Sequence, residues 1–252
     1  MASERAPGDV GAVVHAMRIL RLLAAATAPM GVAAIARASG VNPSTSFNIL
    51  RTLARGGFVA FRATDKTYSL GLGVAEIATG LVGISHAELI RPELDRLALN
   101  HEVLIVLWRV TEDNHLVMID RAFVDTAIRV DIRHGARVPA LVGAVGRCVA
   151  AALGLPESEL RRRFAALRWQ SAPGFEAYLA DVALAGERGW AADHGQLYRG
   201  LETVAAVVCD RNRQPRFGIS GISIAGQHEF AQLEQLGRDL ADLARYIKGS
   251  LF

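Results

Sequence analysis

An α+β fold in two parts is what this 252-residue sequence predicts, and three observations carry the expectation. The first third strings short amphipathic helical runs between glycine and proline breaks and ends in a hairpin pattern. The remainder places strand-like apolar runs on either side of a helical middle and closes on an amphipathic helix. Charge divides at the same point: residues 1–70 carry eight Lys/Arg against three acids, whereas the rest carries 20 basic and 22 acidic groups. A hydrophobic share of 51% is enough to bury two cores, and 21% charged residues argues against global disorder. A basic first third on a slightly acidic body points to a polyanion as partner of that third.

Residues 1–11 read as a polar arm. From Ala12 to Ala26, Val13, Ala16, Met17, Leu20 and Leu23 recur at helical spacing, and Pro29-Met30-Gly31 breaks the run. A short helix over Val32–Ser39 stops at Gly40, a residue suited to a helix C-terminus. In "NPSTSFNILRTLARGG", Asn42 is a good N-cap and Pro43 fits the first helical position, where its missing N–H needs no partner. Phe47, Leu50 and Leu53 or Ala54 form the expected inward stripe. Ser44, Thr45, Ser46, Asn48, Arg51 and Arg55 are the expected contact residues. The strands "FVAFR" and "KTYSLG" follow, joined by "ATDK", with Lys66 at the turn. Helix, short helix, tight turn, helix and hairpin in a basic segment is the order of a winged helix-turn-helix, whose third helix enters the major groove of DNA.

The segment from Leu72 onward is helical in pattern, with Pro92 marking a break or a new start. Periodicity leaves it open whether the apolar face of Leu72, Ala75, Ile77 and Leu81 is core or pairs with its copy in a second subunit. Strands are expected at "EVLIVLWRV", "HLVMIDRA" and "TAIRVDIR". Helices are expected over Gly143–Leu153, Glu157–Leu167 and Phe175–Arg188. The strands "TVAAVVCD" and "RFGISGISIAG" follow, then a helix from His228 to about Ile247. The expected segments are 1–71 for the DNA-binding part, 72–87 for a linker helix and 88–252 for the body.

Motifs for catalysis are missing: no HExxH, no clustered His/Cys ligands, no GxSxG and no Walker loop. Asp193-His194 is a tight acid–His pair that reads better as loop residues than as a catalytic pair. Cys148 and Cys209 read as packing residues, and Arg161-Arg162-Arg163 as the wet face of a helix. No catalytic residue, cofactor or metal is expected. Two cysteines without a CxxC fit a reducing cytoplasm. "MASERAPGDV" is too polar for a signal peptide, and the apolar runs fall short of the ~18 residues of a membrane span. A cytoplasmic protein without membrane contact is expected.

Ligand binding has a foothold at Gly143, Ala144, Val145 and Gly146, where a helix start frees N–H groups and small residues permit close approach. Tight packing of this helix on a sheet explains the same residues equally well. Trp108 and Trp190 fit an aromatic pocket wall or the core.

Several stretches together resemble the IclR family of transcriptional regulators. They are "VVHAMRILRLLA", "VAAIARASGVNPSTSFNILRTLARGGFV", "DKTYSLG", "RHGARVPALVGAVGRCVAAAL", "ERGWAAD" and "VAAVVCDRNRQPRFGISGISIAG". The resemblance implies a GAF-like effector-binding domain joined by a helix to the winged domain. It also implies assembly as homodimers or dimers of dimers on an inverted-repeat DNA operator, and a small, often aromatic, organic acid as effector. The positions that match the family's effector site are Ala144, Val145, Asp193, Thr203 and Ser223. There are departures: Pro43 stands where the family usually has Lys, Asn48 where it has Arg, Thr203 where it has Cys and Ala225 where it has a second Ser. Arg147 replaces the lysine of a Gly-Lys pair, and the loop Arg211–Gly218 is longer than usual.

Overall fold

The computed structural model describes residues 9–79, 85–126 and 129–252, apart from the side chains of residues 75, 78 and 79. The chain forms two compact units, residues 1–84 and 85–252.

In the first unit, α1 (Gly11–Ala25), α2 (Val32–Ser39) and α3 (Pro43–Arg55) pack over a three-stranded sheet. Its strands β1 (Met30–Gly31), β2 (Val59–Arg62) and β3 (Thr67–Leu70) lie in the order β1-β3-β2. Gly40 ends α2 at φ +66°, a conformation glycine adopts without steric cost. Ile19, Leu23, Ile35, Leu50, Val59 and Tyr68 make the core. The inward face of α1 therefore centres on Ile19 and Leu23, whereas Val13 and Met17, expected inside, are exposed. Gly71 closes the hairpin against Gly57, where any Cβ would overlap the Gly57 carbonyl. A short helix α4 (Leu72–Thr79) follows, with Leu72 and Ile77 exposed. Leu81 and the side chain of Ala75 lie outside the described residues.

The second unit opens with α5 (His86–His101). Ser85 and Glu88 form a reciprocal capping box: the Ser85 hydroxyl accepts from the Glu88 N–H, and the Glu88 carboxylate accepts from the Ser85 N–H. Two expectations change here. His86 and Ala87, assigned to a linker, are the first turn of α5, and Pro92 lies inside that helix rather than breaking it.

Strands β4 (Leu104–Val110), β5 (His115–Ala122) and β6 (Arg137–Pro139) make one half of a sheet. Helices α6 (Gly143–Leu153), α7 (Glu157–Ala165) and α8 (Phe175–Arg188) follow. Then β7 (Trp190–His194), β8 (Leu201–Cys209) and β9 (Pro215–Ile224) complete the sheet, and α9 (Phe230–Leu251) ends the fold. The sheet is antiparallel with the order β6-β5-β4-β9-β8-β7. On one side α5 and α9 cover Ile105, Leu107, Val204, Ala206 and Ile219; on the other α6, α7 and α8 cover Leu104, Val106, Ala205 and Ile222. The alternating stretch "TAIRVDIR" is not a strand over its described residues, and β5 pairs instead with β6, Leu116 opposite Val138.

Candidate functional site

Two sites follow from this fold, one in each unit. In the first, α3 begins at Asn42, whose Oδ1 accepts from the N–H and the hydroxyl of Ser44 at 2.9 and 2.8 Å. Fixed there, the helix exposes Ser44, Asn48, Arg51 and Arg55, while Thr45 is half-buried. Ser46 is a correction: it is fully buried and donates to the Val41 carbonyl at 3.2 Å, so it packs and cannot reach DNA. Phe47 is the complementary correction. Expected inside, it is 46% exposed, with the Arg51 guanidinium 6.0 Å from its ring. Positions 46, 50 and 53 and positions 47, 50 and 54 both satisfy helical spacing. Hydrophobicity favoured the second stripe, but a serine that can bond to a carbonyl fits the tight contact where phenylalanine does not. Beside this helix, the hairpin turn carries Arg62 3.4 Å from Asp65, whose carboxyl is held below its usual range by the Thr67 hydroxyl and by Arg62. Lys66 sits at the same turn, exposed, at φ +54°.

In the second unit a cavity of about 330 Å³ lies between the sheet and the start of α6. Val142 supplies no side-chain cap, so the N–H groups of Gly143, Ala144 and Val145 have no intrahelical acceptor at the cavity wall. Apolar groups dominate the remaining wall, among them Trp108, Leu116, Val138, Leu197 and Leu201. Thr203, Ser220 and Asp193 are its polar members from the sheet. Trp108 Nε1 donates to Ser220 Oγ at 2.9 Å, which leaves the serine proton available to a ligand.

Asp193 is placed differently from the expected ligand acceptor. One carboxylate oxygen accepts from the N–H groups of Gln196 and Leu197 at 3.0 and 3.1 Å, and the other accepts from Arg147 at 3.2 Å. It holds the loop that brings Leu197 and Tyr198 to the cavity. Arg147 is fully buried, donates also to Asp181 at 2.9 Å and to Gln196 Oε1, and lies 5.6 Å from the rings of Trp169 and Tyr178. Burial raises the Tyr178 phenol, whose hydroxyl donates to the Leu141 carbonyl at 2.8 Å.

Three further expected pocket residues are elsewhere. Ser223 lies opposite Glu202 on β8 and faces a different cavity; Ser220, three positions earlier, takes the pocket side. Trp190 belongs to the opposite core, packed over Gly237 of α9 with Arg188 3.4 Å above its ring. Gly146 sits behind the pocket wall against the Leu141 backbone. Strand parity puts Ser220 and Ser223 on opposite faces of β9, but which face meets the cavity is set by what packs on the sheet. Arg147, Leu197 and Tyr198 were not foreseen as site residues; the burial of an arginine on an otherwise apolar helix was the available signal for the first.

The remaining motifs resolve into structure. Asp193 faces inward and His194 outward to Glu202, so the acid–His pair is split between two faces. Burial pushes the Cys148 thiol up to about 12, and it donates to the Ala205 carbonyl, which makes it a poor nucleophile. On α7 the three arginines are ion-paired: Arg161 with Glu157 and Glu176, Arg162 and Arg163 with Glu159, whose carboxyl they lower to about 2. Among the described residues no group of three or more His, Cys, Asp or Glu is arranged for a metal, and no helix is long and apolar enough to cross a membrane.

A winged helix-turn-helix unit coupled in one chain to an α+β unit with a mainly apolar cavity against its sheet defines a class: DNA-binding regulators with an effector domain. Residues 12–63 match the IclR helix-turn-helix domain, and residues 81–248 match the bacterial transcriptional regulator IclR C-terminal domain. The chain belongs to the IclR family of transcriptional regulators. It is 27% identical over 227 residues to the glycerol operon regulatory protein of Streptomyces coelicolor, covering 88% of this chain and 86% of that protein. Among solved structures it resembles an IclR transcriptional regulator from Alicyclobacillus acidocaldarius, with 25% identity, TM-score 0.59 and coverage of 95% and 98% of the two chains. It also shares the fold of the Agobacterium tumefaciens repressor BlcR, at 24% identity, TM-score 0.67 and coverage of 96% and 97%.

Proposed function

We propose that this regulator answers to a small carboxylate with an apolar body, an aromatic ring included, bound in the cavity at the start of α6, and that it controls catabolic genes. The observation that carries the reading is the uncapped α6 N-terminus opening into a mainly apolar cavity. An anion there accepts from free N–H groups and meets the positive end of the helix dipole, worth about 0.3–1 kcal/mol and more when partly buried. Thr203 and Ser220 orient it, and Asp193 acts at one remove by holding the loop that carries Leu197. A relative named as a glycerol operon regulatory protein supports control of an operon. The effector acts by binding one DNA-binding geometry better than another.

Thermal-shift screening of small carboxylates against neutral analogues tests this reading directly. A carboxylate that raises the melting temperature of the protein should do so less in Thr203→Val, whose shape is conserved while its hydroxyl is lost. The expected loss is about 1–3 kcal/mol of affinity if the hydroxyl is paired with the ligand. Stabilisation by neutral analogues alone, or full affinity in Thr203→Val and Ser220→Ala, would place the effector elsewhere. A protein that no small molecule stabilises would instead be a constitutive DNA-binding protein.

For DNA, the proposed reader is α3, with the turn Thr64–Lys66 against the backbone, in a homodimer or dimer of dimers on an inverted repeat. One short helix covers too few base pairs, so two half-sites about one helical turn or a multiple apart are needed. Exposed Leu72 and Ile77 are offered as part of the dimer surface. Arg51→Ala or Arg55→Ala should weaken binding to all sequences and flatten the salt dependence by roughly one unit of slope. Asn48→Ala should change which sequence is preferred. Titrations at several salt concentrations, with light scattering for the dimer, check these outcomes; unchanged binding in all three variants, or a monomer, would contradict them.

A further inference from the structure

Ser223, displaced from the first cavity, borders a second one of about 240 Å³. The residue is 4% exposed, and its buried Oγ has no hydrogen-bond partner among the described residues. An unsatisfied buried hydroxyl costs about 1–3 kcal/mol, so such an atom calls for an occupant of the space it borders. His228 borders the same cavity, and its buried Nδ1 is also without a partner among the described residues. Its Nε2 lies 3.0 Å from the His101 carbonyl oxygen. A carbonyl only accepts, so Nε2 carries the proton and Nδ1 of the neutral ring presents a lone pair. The cavity therefore offers one atom that can donate or accept and a second that only accepts.

That pair selects against anions and for hydroxyl groups. A carboxylate has no proton to give Nδ1, whereas a hydroxyl can donate to it and accept from a serine. Charge at the rim is net negative, which also disfavours an anion: Arg129 lies 3.0 Å from Asp125 and is stacked 4.1 Å over the Phe123 ring, and Glu102 adds a second carboxylate. Gln227 accepts from the Ile224 N–H at 3.1 Å, which fixes its carboxamide at the cavity while its NH₂ remains a donor group. Apolar Leu104, Val124 and Ile222 complete the wall, suited to the C–H faces of a carbon skeleton.

We propose that this cavity is a second ligand site for a small neutral polyhydroxylated compound, with one hydroxyl donating to His228 Nδ1 and Ser223 Oγ bonding to the same or a neighbouring hydroxyl. Val130 and Ile222 border both cavities, so an occupant of the second packs against side chains that also wall the first. Any coupling between the two ligands is then reciprocal.

The test is calorimetry and saturation-transfer NMR on the full chain with glycerol, ribose and glucose, and with benzoate as the anionic control. At least one of the three polyols should bind at millimolar concentration. Ser223→Ala and His228→Phe should each weaken it by about tenfold or more, the fold-change expected when a buried hydrogen-bond partner is lost. Thr203→Val, in the first cavity, should leave polyol binding unchanged, so this result is independent of whether the carboxylate reading holds. The proposal is overturned if no polyol binds, if Thr203→Val rather than Ser223→Ala removes binding, or if a crystal soaked with the polyol shows only water between Ser223 and His228. Benzoate competing for the Ser223 site would overturn it as well.

Discussion

Replacing Arg147 with Met should destabilise the second unit by about 3–5 kcal/mol, the usual consequence of removing one partner from a buried ion pair. Arg147 is fully buried, and its side chain meets Asp193, itself 3% exposed, and Asp181, which is 44% exposed. When the cation is removed, Asp181 can turn to water, but Asp193 remains an uncompensated charge inside the protein. The same change frees the loop whose Gln196 and Leu197 N–H groups bond to Asp193, so effector binding should fall with stability. For a unit of this size the melting temperature should drop by roughly 10 °C. Arg147→Met combined with Asp193→Asn should recover part of the loss, because the stranded charge is then gone. Arg147→Lys should lie between, since an ammonium keeps the charge but not the planar fork that reaches Asp181, Asp193 and Gln196 together. Thermal and urea unfolding of the four proteins measures this, and a single Met variant as stable as the parent would refute the assignment.

Gly146→Ala separates two physical effects by sign. Within a helix, alanine is favoured over glycine by about 1 kcal/mol, so propensity alone forecasts a more stable protein. Sterics forecast the reverse. A Cβ at position 146 would overlap the backbone carbonyl of Leu141, with the Leu141 Cα only 2.8 Å away. Backbone cannot rotate aside as a side chain can, so α6 must tilt or the 139–142 turn must move. Movement of Leu141 also strains the bond that its carbonyl accepts from Tyr178. Overpacking of this kind costs about 1–3 kcal/mol, sometimes more, which outweighs the propensity gain. Chemical denaturation of the variant should show a net loss, accompanied by weaker effector binding as the α6 N–H groups shift. A stabilised variant would mean that the close approach is not rigid.

Much of the architecture was legible because local chemistry marks it. Asn42-Pro43 opens α3, and Gly40, Gly154 and Gly189 end α2, α6 and α8 at positive φ, each as a capping residue whose backbone preference is intrinsic. The stretch "TAIRVDIR" misled for the opposite reason. Its alternation suits a strand, but a strand exists only where a neighbour supplies hydrogen bonds, and β5 finds that neighbour in Arg137–Pro139. β7 was missed because "WAADH" shows little alternation of its own; its pairing with β8, Asp193 opposite Thr203, makes it a strand.

The order of elements, the basic first third, the membership of the family and the helix start at Gly143 were all determined by the sequence itself, through capping, periodicity and charge that act within a few residues. Facing was decided only by the tertiary structure. Ser46 rather than Phe47 lies under α3, and Ser220 rather than Ser223 reaches the α6 cavity. Arg147 is drawn inside by Asp181, 34 positions away, and Asp193, 46 positions away. Each of these depends on which partner arrives from a distant part of the chain, and a one-residue difference in helix or strand phase reverses the outcome.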